Sequence, residues 1–262
     1  MRLMLSRRAG IWPFLALAVL IGSAALLAPR TDLPPSYHHF ADHRSWLGIP
    51  NFGDVSSNVA FFVAGLWGLA FLARKSSAVQ FLDARERWPY ILVFLGLVLT
   101  GFGSVYYHLA PDNARLVWDR LPMTLAFMPL VAAMIAERVT VQLGLWSLPV
   151  LIAVGVGSVI QWHLSAQHGA GDLRLYAAVQ VYAVLALFAT LLLPARYTRG
   201  SDLLVVAGLY VVAKICETAD HQIFSLGQLV SGHTLKHLAA GVSGYWILRM
   251  LQKRRPLSAP AA

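Results

Sequence analysis

The chain has 262 residues, 58% of them hydrophobic and only 13% charged, with a mean hydropathy of +0.62. Soluble domains carry about 25% charged residues, so a disordered chain, a coiled coil and an ordinary soluble enzyme are excluded. The single cysteine, Cys216, excludes a disulfide framework and a cysteine-built zinc finger.

The net charge of +9 does not point to nucleic acid. The basic residues fall in short blocks between long apolar runs, the pattern that orients membrane helices. A bilayer-crossing helix needs about 20 mostly apolar residues, and eight runs approach that length. The first, 10–28, follows Arg2, Arg7 and Arg8 and ends in small residues near Ala24. It reads as a retained N-terminal helix (segment 1–28), with a cleaved signal peptide as the alternative. Residues 29–54 are the longest polar stretch, and their prolines and aromatics predict an ordered external cap. The second run, 55–73, opens on Ser57 and Asn58, which either cap a helix or hydrogen-bond towards a site. The third and fourth, 89–110 and 118–136, are joined so tightly that they must be antiparallel neighbours.

The fifth run, 144–163, leads into a loop at 164–174, where His163, His168 and Asp172 read as solvated. The last three runs are 175–194, 202–218 and 232–251, and 252–262 reads as a disordered cytoplasmic tail. No run alternates with period two, which argues against a β-barrel; in lipid that leaves helices. With the N-terminus inside, fourteen of the 21 lysines and arginines fall in inside segments, and four (Arg30, Arg44, Arg115 and Arg174) fall outside. The remaining Arg120, Lys214 and Lys236 lie at or inside helix ends. The pattern predicts an all-α, polytopic membrane helix bundle with eight spans and both termini cytoplasmic.

An ionisable side chain inside a span asks for a reason. Ser104 and His108 are four apart and share a helix face. Asp119 follows eleven residues later, on the neighbouring antiparallel helix, at similar depth. His233 and His237 are four apart near the start of the last run, a common geometry for chelating one metal. All of these fall in the outer third of the bilayer. Three neutral imidazoles with an open fourth position form the ligand set of a catalytic zinc site. Bland roles stand beside this one. Asp119 also suits a helix N-cap, and Ser104 suits a bond to a carbonyl one turn back. Lys214, Glu217 and Asp220 recur at three-residue spacing. They form either a self-neutralising Lys–Glu pair or a carboxylate that orients a ligand imidazole.

The blocks NFGDVSSNVAFFVAG (51–65), GSVYYHLAPDNARLVWDRLPM (103–123) and GHTLKHLAAG (232–241) resemble the alkaline ceramidases. YHHFADHRSWLGIPNF is similar to the bacterial branch of ceramidase-domain proteins. These belong to a superfamily of seven-helix membrane hydrolases that includes the progestin and adipoQ receptors. The resemblance covers 51–251, implies a seven-helix core at 55–251, and leaves helix 10–28 as an extra. It implies that His108, His233 and His237 hold Zn2+, that Asp119 acts on the zinc-bound water or the leaving amine, and that Ser104 assists at the carbonyl oxygen. The implied reaction is hydrolysis of a ceramide-like N-acyl membrane lipid to a fatty acid and a sphingoid-type amine. No nucleic acid and no obligate protein partner is implied, and a bacterial protein of this kind would lie in the inner membrane. Ser57, Asn58, Glu217 and Asp220 are the candidate outer partners of the site. The chain departs from the eukaryotic members at Asn51, where their calcium segment carries an acidic residue; Asp42 and Asp54 remain as hard-cation ligands, and calcium stays open. The alternatives are a seven-helix lipid receptor or sensor, or a lipid-ester hydrolase of the same superfamily.

Overall fold

The computed structural model describes residues 8–257. Its helices are, in chain order, α1 (Trp12–Leu27), α2 (Phe52–Ser56), α3 (Val59–Ala73), α4 (Arg87–Leu109), α5 (Asn113–Arg138), α6 (Val141–Gln167), α7 (Arg174–Ala189), α8 (Asp202–Thr218), α9 (Asp220–Ser225) and α10 (Gly232–Lys253). All eight apolar runs are therefore helical. Among the described residues there is no strand, only two isolated bridges, Trp46–Ile49 and Tyr197–Pro256. Among the described residues six segments are long and apolar enough to cross a membrane: Ala9–Leu27, Phe52–Ala73, Ala84–Leu109, Asn113–Arg138, Val141–Gln167 and Arg174–Leu192. The last two runs fall short for different reasons. Helix α8 has 17 residues, about 26 Å at 1.5 Å per residue. Helix α10 has the length, but His233, Lys236 and His237 interrupt its apolar surface.

The caps decide where the helices start. Asp112 accepts from the Arg115 N–H and opens α5; Ser231 accepts from the Thr234 N–H and opens α10. Each satisfies a donor that the first turn leaves free. Helix α5 thus begins five residues before the apolar run does. Asp119 is not its cap, as one reading of the sequence allows, but a buried residue in its second turn.

Helices α4 and α5 form a tight antiparallel pair because α4 presents glycines where the two backbones touch. A Cβ on Gly103 would stand 1.9 Å from the Trp118 carbonyl oxygen, and one on Gly96 would stand 2.6 Å from the Ala126 nitrogen. Such close approach is how small residues hold helices together where there is little hydrophobic drive between them. It also sets His108 and Asp119 on facing turns. Helix α10 packs between α3 and α8, so the ends of α3, α4, α5 and α10 meet around one point. Helix α1 lies outside, against α7. It buries Phe14 and is fastened by Arg174, which donates to the carbonyls of Leu26 (3.2 Å) and Ala28 (2.6 Å).

Two polar expectations are corrected. Asp172 is not solvated. It is buried and forms an ion pair with Arg174 at 2.8 Å, whose guanidinium holds its carboxyl below the usual carboxylate range. His168, by contrast, is exposed. Nor does a disordered tail begin at 252. Helix α10 continues to Lys253, and Arg254 is 1% exposed. The buried carboxylate of Glu137 pairs with its guanidinium, which also lies over the rings of Tyr197 (4.1 Å) and Phe81 (4.6 Å). A buried carboxylate demands a cation, and the planar guanidinium also suits aromatic faces. Residues 258–262 of that segment, with Arg2 and Arg7 of the first, lie outside the described residues.

Candidate metal centre

His108 stands in the last turn of α4; His233 and His237 stand in the first two turns of α10. Their ring centroids form a nearly equilateral triangle with sides of 4.7, 4.8 and 5.0 Å. The residues are 0%, 5% and 2% exposed. One nitrogen from each lies within 4.8 Å of the others, and the Nε2 atoms of His108 and His233 are 3.2 Å apart. Tetrahedral ligation at 2.0–2.1 Å places ligand nitrogens roughly 3.3 Å from one another. The triad can therefore hold a metal ion.

The surroundings set which nitrogen of His237 is free. Its Nδ1 is 3.1 Å from the Asp54 carbonyl oxygen and 2.9 Å from Ser57 Oγ. A carbonyl oxygen only accepts, so Nδ1 carries the proton and the Nε2 lone pair faces the site. Ser57 itself donates to the same carbonyl (3.0 Å), and Asn58 Nδ2 donates to it at 2.8 Å. The α2–α3 junction thus supplies the outer partner that fixes a ligand ring. Ser57 makes that bond directly, while Asn58 braces the carbonyl.

The cap segment closes the site. The Phe40 ring lies 4.7 Å from that of His108 and 4.5 Å from that of His233. His38 bonds Tyr107 and Asn113, each at 2.9 Å. Asn51 sits in the left-handed region (φ 47°), which asparagine tolerates better than most residues, and donates to the His108 carbonyl oxygen at 2.8 Å. Asp220 accepts from the Ala41 N–H (2.9 Å) and the His233 N–H (2.7 Å). It ties the cap to the first turn of α10 and orients no imidazole. Glu217 pairs with both Lys214 and Lys236, so it too is bound elsewhere; Lys236 Nζ stands 3.1 Å from His233 Nε2. Of the four candidate outer partners, the one that touches a ligand ring is Ser57. The carboxylates considered for a hard cation differ. Both oxygens of Asp42 accept from Arg44; Asp54 Oδ1 accepts from Ser231 and Thr234, while its buried Oδ2 has no hydrogen-bond partner.

Ser104 Oγ is 3.4 Å from His237 Nε2. With His237, Ser104 and Asp119 line a cavity of about 400 Å³. At one end its wall is the cap, through Leu33, Pro34 and Tyr37; at the other it is apolar, through Leu97, Leu130, Leu187 and Ile247. The rise along α10 from His237 to Ile247 is about 15 Å, so the apolar part is a long slot beneath the triad.

Sequence reasoning reached the triad, Ser104 and Asp119; the structure groups the three histidines and sets Ser104 and Asp119 on one cavity wall with His237. It missed the Asp54 carbonyl, the Asn51 bond, the Phe40 roof and Lys236 beside His233. Lys236 carries a signal that was legible, a lysine between two ligand histidines one turn apart. The backbone carbonyl carries none.

No family model matches the chain, and no curated protein does. What the site can do rests on its donor set. Three imidazoles are the complement of a catalytic centre, which keeps a position for water or substrate. Here that centre adjoins a carboxylate, a hydroxyl and an apolar slot.

Proposed function

We propose that the protein is a multi-pass membrane hydrolase that uses one zinc ion to cleave the amide bond of ceramide-like N-acyl lipids, releasing a fatty acid and a sphingoid-type amine. The observation that carries this reading is the cavity in which His237, Ser104 and Asp119 stand at the head of a long apolar slot. Its membrane frame is the seven-helix core at 55–251 with one further N-terminal helix, both termini cytoplasmic and the site near the outer face. The helices α8, short by length, and α10, polar in its first turns, complete that core.

His108, His233 and His237 would hold the metal, and imidazole nitrogen suits zinc. When bound, zinc supplies a Lewis acid for the carbonyl and a water acidic enough to react at neutral pH. The residues do the rest. Asp119 takes the proton of the attacking water and returns it to the leaving nitrogen. Ser104 donates a hydrogen bond to the carbonyl oxygen as charge develops there. The apolar slot takes the acyl chain, and Phe40 keeps bulk water from the triad.

The test is hydrolysis by purified, zinc-loaded protein in detergent, with a panel of N-palmitoyl amides and matched palmitoyl esters. Palmitate release from the amides, abolished by chelation and restored by zinc, is the expected result. Release from the esters alone would replace the amidase with an esterase. No release from any member would remove the hydrolase reading.

A further inference from the structure

Arg120 is the cation on the cavity wall that nothing yet described accounts for. It follows Asp119 on α5, so their Cα atoms are about 3.8 Å apart. It is 4% exposed. Its guanidinium lies over the rings of Trp162 (4.4 Å), Tyr176 (4.8 Å) and Tyr37 (5.3 Å). Its Nη1 is buried with no hydrogen-bond partner. Among the described residues no carboxylate closes an ion pair with it. Aromatic faces attract a cation, but they leave an N–H donor without an acceptor, and a buried unpaired donor on a charged group is expensive.

The other charges on this wall are spoken for. Lys214 and Lys236 share Glu217, and the charge of Asp119 acts through space on both Lys236 and Arg120. Asp32 is exposed at the cap end and accepts from the Leu33 N–H. Of the three cations on this wall, Lys214 and Lys236 close ion pairs and Arg120, among the described residues, does not. Its place along the cavity gives it a role. A lipid with its acyl chain in the apolar slot and its amide beside Asp119 carries its head to the cap end, within one side chain's reach of Arg120.

Resting on the amide chemistry proposed above, we infer that Arg120 binds the head of the substrate, and that the preferred substrates are N-acyl lipids whose head bears an oxyanion, a carboxylate or a phosphate. The forked guanidinium matches such groups, and a charge-assisted bond there is about twice as strong as a neutral one. A hydroxyl head would accept only the weaker of these bonds from the same N–H.

Binding is tested on zinc-loaded, full-length protein with sulfonamide analogues that cannot be hydrolysed. N-(hexadecylsulfonyl)glycine and N-(hexadecylsulfonyl)phosphoethanolamine are compared with neutral N-(hexadecylsulfonyl)ethanolamine by isothermal titration. At least one acidic analogue is expected to bind tenfold tighter or more, and Arg120→Met to erase the difference at unchanged zinc content. The two acidic arms show whether the head is a carboxylate or a phosphate. Equal affinity of the wild type for all three analogues would overturn the inference, and this comparison needs no variant to fold. So would a preference that survives in Arg120→Met. Palmitate binding as tightly as the glycine analogue, with the same dependence on Arg120, would assign the residue to the product instead and overturn the head assignment. The two proposals fail separately. Arg120-dependent binding without hydrolysis of the parent amides removes the hydrolase and leaves a lipid-head subsite. Hydrolysis of acidic and neutral amides with equal kcat/KM keeps the hydrolase and removes the subsite.

Discussion

His237→Ala is expected to lower zinc content from about one ion per chain to near zero after dialysis, and to lower amide hydrolysis more than about 100-fold. Loss of an outer partner alone costs roughly 10–100-fold in metal affinity or activity, so loss of a ligand sets a floor at the upper end of that range. The position is chosen because His237 is the ligand that also lines the cavity and whose tautomer the fold fixes through Ser57 and the Asp54 carbonyl. The same outcome is expected for His108→Ala, which reaches the ion from a different helix. Metal analysis and size-exclusion chromatography on the same samples check both. A monodisperse His237→Ala protein that keeps a full complement of zinc and full activity would take the residue out of the site.

Asp119→Asn should behave in the opposite way with respect to metal. Among the described residues Asp119 belongs to no metal-ligand group, and asparagine preserves its size, so zinc content should not change. Hydrolysis should nevertheless fall by about 10²–10⁴, the usual contribution of a positioned proton carrier, because an amide cannot take the proton from the attacking water. Burial within the second turn of α5 makes the effect one of chemistry rather than of helix capping, since Asp112 holds the cap. A rate within a few-fold of wild type would leave the carboxylate a structural role only.

The helices were legible because apolar length is a local property, which six of the eight runs carry in full and the last two approach. The triad was legible for a related reason. Spacing of four puts His233 and His237 on one face, and the depth assignment places His108 level with them. What escaped lies in segments without periodicity. The ring of Phe40 reaches the site from a stretch with no regular structure longer than the turn at Pro35–His38. The bond that orients His237 comes from a main-chain oxygen, which a list of side chains does not contain. Charge was misjudged where local context and tertiary context disagree. Arg254 reads as one of a basic tail until Glu137, 117 residues earlier, requires a cation at the same point. Asp220 reads as a partner for an imidazole, but its oxygens meet the main-chain donors of Ala41 and His233.

The observation on which the rest depends is that three imidazoles from α4 and α10 meet around one ion. X-ray absorption at the zinc edge, on purified protein carrying a single equivalent of zinc, reads that ligand set directly. Three nitrogen scatterers with imidazole multiple scattering at about 2.0–2.1 Å, plus one oxygen, are expected, falling to two imidazoles or fewer in His108→Ala. A shell dominated by oxygen in the wild type, or one that His108→Ala leaves unchanged, would show that the ion is held elsewhere and that the triad is not a metal centre.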